Sequence, residues 1–174
     1  MNLTKIRSIF IVVGISAVLL LAGGTYFTTM SLKIADAQAS TLGEPILVEK
    51  GKITSQSQLG PNRTQFTFSA NGTLNGSIEV TNTGSYVSTS IGNNYATYEG
   101  QGVISTEDGS ETASYSLIGT DNVTQDGQVT FRGSVAYSTN STGNLSVLNN
   151  MVGFFKGEGD IKTGNFTSTE WELK

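Results

Sequence analysis

The sequence predicts an all-β protein: an antiparallel up-and-down β-barrel of about eight strands, preceded by an N-terminal hydrophobic signal or anchor helix. Three observations carry that expectation. Charged residues make up only 14% of the 174-residue chain, against roughly 25% in typical soluble domains, and 21 glycines help fill the gap. Asn-Gly and Asp-Gly pairs recur along its length, and Asn, Asp and Gly tolerate the positive φ of tight hairpin turns. Between those pairs, apolar residues alternate with Ser and Thr at a period of two, which puts each set on one side of a pleated strand.

The chain opens on an address. Lys5 and Arg7 precede an apolar run over residues 8–27, and no charge follows until Lys33. The positive flank stays cytoplasmic by the positive-inside tendency, so everything after the run is expected outside the membrane. Ala37-Gln38-Ala39 fits a small-x-small cleavage site, whereas the run itself is long enough to span a bilayer. Residues 1–39 are therefore a signal peptide or a membrane anchor, and residues 40–174 an extracytoplasmic barrel domain, secreted or anchored to the cell membrane.

Turn signals fall at Asn71-Gly72, Asn75-Gly76, Asp108-Gly109, Asp126-Gly127, Thr142-Gly143-Asn144 and Thr163-Gly164-Asn165. The runs between them are long enough for a meander without helical crossovers. Alternation places Ala96, Tyr98, Gly100, Gly102 and Ile104 on the buried face of one strand. It does the same for Ala113, Tyr115, Leu117 and Gly119, and for Val129, Phe131, Gly133, Val135 and Tyr137. Trp171 and Leu173 complete that face on the last strand. Gly102, Gly119 and Gly133 lie on the apolar side, where tight curvature is the expected reason for glycine. Closing the meander removes the sheet edges that invite aggregation, and the absence of cysteine leaves packing and pairing to hold the domain.

The chain has no His and no Cys, which excludes a His-based triad, a thiol nucleophile and ordinary His/Cys zinc sites. Its net charge of -4 offers no basic surface for nucleic acid. Carboxylates are the remaining acid/base groups: Glu99, Glu158, Glu170 and Glu172 lie on predicted strands with Arg132 as a possible partner. Alternation puts Glu99, Arg132, Glu170 and Glu172 opposite the apolar face, as wet cross-strand pairs of about 1 kcal/mol or less. A β-bulge near Gly100 or Gly157 would turn Glu99 or Glu158 inward. The acidic residues 107–111 lack EF-hand spacing and read as a solvated hairpin tip, so no metal site and no cofactor are expected.

Residues 98–119, YEGQGVISTEDGSETASYSLIG, are followed by GQVTFRGSVAYSTNSTGNLSVLNNMVGFFKGEGD and the terminal STEWELK. This stretch resembles a family of uncharacterised archaeal and bacterial proteins, similar in shape to small calycin-type barrels such as allene oxide cyclase and dirigent proteins. The resemblance covers residues 95–174, through Gly100-x-Gly102, Phe131-Arg132-Gly133, Leu148-Asn149 and Trp171-Glu172. It implies the barrel and transfers no catalytic residue.

Seven Asn-x-Ser/Thr acceptors follow residue 40, at Asn62, Asn71, Asn75, Asn122, Asn140, Asn144 and Asn165, where random order would give about three. Glycosylation in or beside turns is the expectation. The function read from these features is non-enzymatic, with a barrel that holds a small apolar ligand among Tyr98, Tyr115, Tyr137, Phe131 and Trp171. The alternatives are a cyclase- or isomerase-like enzyme of the same architecture and a purely structural cell-envelope module. The membrane, through the N-terminal segment, is the other expected partner.

Overall fold

The computed structural model describes residues 42–92 and 94–174; the expected signal or anchor helix lies outside the described residues. Eight strands follow one another as β1 Leu47–Gly60, β2 Arg63–Leu74, β3 Ile78–Gly92, β4 Tyr95–Thr106, β5 Thr112–Val123, β6 Gln128–Ser138, β7 Val152–Asp160 and β8 Asn165–Glu172. Each pairs antiparallel with the next, and β1 pairs with β8 from Leu47↔Glu170 to Lys52↔Asn165, closing the barrel. Beyond Lys52, β1 runs on with β2 alone. A bulge at Thr54 marks that departure, where the Thr54 and Ser55 hydroxyls both meet that of Thr67 at 2.9 and 2.7 Å.

The turn chemistry works locally. Asn75 and Gly76 take φ of 50° and 71°, the double positive φ of a tight primed hairpin between β2 and β3. Asn71-Gly72 is not a turn, because both residues continue β2 paired to β1 and β3. Thr142-Gly143-Asn144 likewise belongs to a longer connection, which carries the 3-10 helix Asn144–Leu148 between β6 and β7.

That connection closes one end of the barrel. Leu145 and Leu148 are fully buried, together with Leu47, Leu74 and Ile104 from the neighbouring strand ends. The Glu111 carboxylate, from the β4–β5 turn, accepts the backbone N–H groups of Asn144 and Leu145 at 2.9 and 2.8 Å and so fixes the start of the helix. Each buried leucine contributes about 2 kcal/mol by area removed from water.

The inward glycines have a packing role that the alternation does not show. They clear space for rings. A Cβ on Gly119 would collide with the Tyr98 ring, one on Gly102 with Tyr115, one on Gly133 with Phe155 and one on Gly157 with Phe131. An eight-stranded barrel has an interior just wide enough for side chains to fill, and here large rings pack over bare backbone.

The last strand corrects the sequence reading. Glu170, not Trp171, points into the lumen, and Leu173 is half exposed. Trp171, on the outer wall by alternation, is nonetheless buried, stacked on Phe154 at 6.4 Å with Lys156 Nζ 5.3 Å above its ring. The expected alternation failed because Thr167 and Thr169 share a face with Trp171, and the aromatic outweighed them as a marker of the interior.

Candidate functional site

The lumen has two layers of different chemistry. Beneath the leucine plug, five strands each send in one polar side chain: Glu49 from β1, Asn82 from β3, Tyr115 from β5, Tyr137 from β6 and Glu170 from β8. All five are buried. The Asn82 amide donates to Glu49 Oε1 at 2.8 Å and accepts the Tyr115 hydroxyl at 2.8 Å. Tyr137 donates to Glu170 Oε2 at 3.0 Å, while Glu170 Oε1 has no hydrogen-bond partner among the described residues. The Tyr115 and Tyr137 rings touch at 5.4 Å and join the two groups.

Among the described residues no cation offsets these acids. All the described lysines and arginines are exposed, and the one ion pair among the described residues joins Lys174 to Glu172 on the surface. Burial pushes the Glu49 carboxyl up to about 7, against the lowering effect of the Asn82 hydrogen bond. Burial pushes Glu170 up to about 8, with the Tyr137 bond opposing and the Glu49 charge adding to the rise. The layer holds protons at neutral pH, yet it sits under the closed end.

Towards the other end lies an aromatic layer. Six inward rings form a closed circuit around the barrel: Tyr86 to Phe68 at 6.4 Å, Phe68 to Phe166 at 5.7 Å, Phe166 to Phe131 at 6.2 Å, Phe131 to Phe155 at 6.4 Å, Phe155 to Tyr98 at 6.4 Å, and Tyr98 to Tyr86 at 5.5 Å. Phe66 stacks on Tyr86 at 5.1 Å. The two contacts of Phe166 have the edge geometry that ring quadrupoles favour, and the other four of the circuit are tilted. Phe66, Phe68, Tyr86, Phe131 and Phe166 each keep part of their surface exposed, and among the described residues this end of the barrel is bordered by hairpin turns.

Asp121 completes this layer. It lies on the inward face of β5, in register with Ala96 and Phe131, and is half-buried. Burial raises its carboxyl above the ordinary value, against a backbone hydrogen bond at Ala96. The Tyr86 and Tyr98 hydroxyls are raised by burial first and by the Asp121 charge second, so both stay protonated. Tyr98 donates to the Arg132 carbonyl at 3.3 Å.

The candidates expected from sequence therefore separate. Tyr98 and Phe131 belong to the aromatic circuit, Tyr115 and Tyr137 to the polar layer, and Trp171 to the outer wall. Glu99, Arg132, Glu158 and Glu172 are exposed, while Glu170 is the inward acid. Among the sequon asparagines Asn62, Asn71, Asn75, Asn140, Asn144 and Asn165 are exposed, and Asn122 is half-buried at the end of β5. The Asp108 carboxylate is taken up within its own turn by Thr106 and Ser110, which together hold it down to about 2.

Glu49, Asn82, Asp121, Phe66, Phe68, Tyr86 and Phe166 escaped the sequence reading. A signal existed for most of them. Phe66, Phe68 and Ala70 alternate on β2, and Val80, Asn82, Gly84 and Tyr86 alternate on β3, so extending the period-two count upstream of residue 95 finds both rows.

No family model and no curated protein matches the chain. Among solved structures, it is similar to the crystal structure of a conserved protein of unknown function from Rhodopseudomonas palustris, with a TM-score of 0.59 and 13% identity over 75% of this chain and 95% of that one. At that identity the likeness concerns the fold alone.

Proposed function

We propose that this chain is an exported, non-enzymatic binding module: the N-terminal segment carries the barrel across the membrane, and the aromatic circuit receives a small, largely apolar ligand through the end that, among the described residues, bears hairpins. The observation that carries this reading is the set of half-exposed inward rings, Phe66, Phe68, Tyr86, Phe131 and Phe166. Leaving apolar rings part-exposed inside a barrel forgoes burial that the folded chain would otherwise gain, and a concave, mostly apolar site with few polar groups is what small-molecule pockets offer. The opposite end offers no such entry, because Leu145 and Leu148 fill it. Glycans on the exposed sequons fit the same extracytoplasmic placement, and the calycin-like shape fits a ligand-holding barrel.

The test is binding of N-phenyl-1-naphthylamine, a neutral apolar dye whose emission rises on leaving water. The protein is expected to bind it saturably, and Phe68→Ala and Phe131→Ala to weaken it at least about tenfold. Absence of saturable binding by the folded protein would end the binding reading. Protease protection in membrane fractions tests the export component separately.

A second reading, acid/base catalysis, has one specific observation in its favour: two lumenal carboxyls, Glu49 and Glu170, titrate near neutrality. Turnover of a panel of small lipophilic substrates that is lost in both Glu49→Gln and Glu170→Gln would replace the binding reading with this one.

A further inference from the structure

Resting on the binding reading, we propose that the aromatic circuit and Asp121 together form a receptor for a small organic cation bearing a methylated ammonium group. The argument starts from what this half of the lumen presents. Six rings from six strands turn towards one another, and five of the seven rings in the layer stay partly exposed, so the layer offers π surface to anything entering. Ring faces carry negative potential and attract a cation lying within about 6 Å of a centroid. The neighbouring rings are in mutual contact, with centroids 5.1 to 6.4 Å apart, so a cation would meet their exposed faces side by side rather than a gap between them.

Charge selects among apolar guests. Asp121 is the one inward carboxylate of this half of the barrel among the described residues, since Glu99 and Glu158 face water and Glu49 and Glu170 belong to the layer beneath the plug. Among the described residues its charge has no buried lysine or arginine to meet, because every described basic side chain is exposed. A half-buried carboxylate beside π faces repels anionic guests, is indifferent to neutral ones and attracts cations.

The lining narrows the class again. Tyr98 donates to the Arg132 carbonyl, while the Asp121 carboxylate keeps acceptor capacity beyond its bond at Ala96. Seven rings nevertheless outnumber these polar groups, and a trimethylammonium head meets them with methyl surface and needs no acceptor. A primary ammonium would have to give up water from three N–H groups against a mostly apolar lining. The methylated cation fits better.

The experiment compares choline with 3,3-dimethylbutan-1-ol, which has the same shape and no charge, by titration calorimetry on the full protein at pH 7.5. Choline is expected to bind at least about tenfold more tightly than the alcohol, a difference of about 1.4 kcal/mol. Asp121→Asn and Asp121→Ser are expected to abolish that preference in protein whose urea unfolding remains cooperative. Equal affinities for choline and the alcohol, alongside intact dye binding, would overturn the cation assignment and leave the binding reading standing. A choline preference that survives both substitutions in folded protein would also overturn it. Loss of dye, choline and alcohol binding together in the wild-type protein would remove both.

Discussion

Replacing Glu170 with Gln removes one proton-binding group from the plugged end of the barrel with little change of shape, since Tyr137 can still donate to the amide carbonyl. In the folded protein Glu170 titrates at about 8 because burial disfavours its charge, against 4.5 for a free glutamate. The folded state therefore binds the proton more tightly than the unfolded state does. Stability is greatest below pH 4.5, falls as pH rises towards 8, and stays reduced above that. At 1.36 kcal/mol per pH unit of difference, the loss from this one group is about 1 kcal/mol at pH 5, about 3 at pH 7 and about 5 at pH 9. Glu49 adds a second loss that builds as pH rises to about 7, levels off above it and remains in the variant. Urea unfolding of wild type and Glu170→Gln at pH 5, 7 and 9 separates the two. The variant should gain on wild type by about 4 kcal/mol between pH 5 and pH 9. A difference that stays constant with pH would refute the assignment of Glu170 to a buried, uncompensated site.

Three further substitutions follow from the packing. Leu148→Ala should cost about 2 to 5 kcal/mol in chemical denaturation, because the plug leaves a cavity that the 3-10 helix, held by Glu111, cannot close. Gly102→Ala should cost about 1 to 3 kcal/mol, since the added methyl meets the Tyr115 ring; a neutral result would show that this ring can move aside. Trp171→Ala should cost about 3 kcal/mol through lost contact with Phe154 and Lys156, yet leave dye binding unchanged, because the ring lies on the outer wall.

The architecture was legible in the sequence wherever side chains obeyed a strict period of two. Tyr98, Tyr115, Phe131 and Tyr137 were found on the inward face by counting, and the turns at Asn75-Gly76, Asp108-Gly109 and Asp126-Gly127 by their chemistry. The interior acids were not. A buried glutamate on a strand looks like any other glutamate until its register is known, and the single-residue offset between Glu170 and Trp171 reversed both assignments. Glycine was legible only in part. Gly102, Gly119 and Gly133 were correctly placed inside, but their purpose depends on rings from neighbouring strands, and cross-strand partners are not written in a local pattern. The 3-10 plug was hidden for the opposite reason, since its Thr-Gly-Asn start carries the same residues as a hairpin turn.

The most direct test of ligand reception at the aromatic end is an aromatic-region carbon–proton NMR titration of the protein with N-phenyl-1-naphthylamine, with ring resonances assigned by single Phe→Leu and Tyr→Leu replacements. Saturable shifts are predicted at Phe68, Tyr86, Phe131 and Phe166, with the Trp171 indole unchanged. Shifts confined to Trp171 and Phe154 would place any binding on the outer wall and contradict the lumenal site, and a spectrum that does not respond at all would contradict ligand binding altogether.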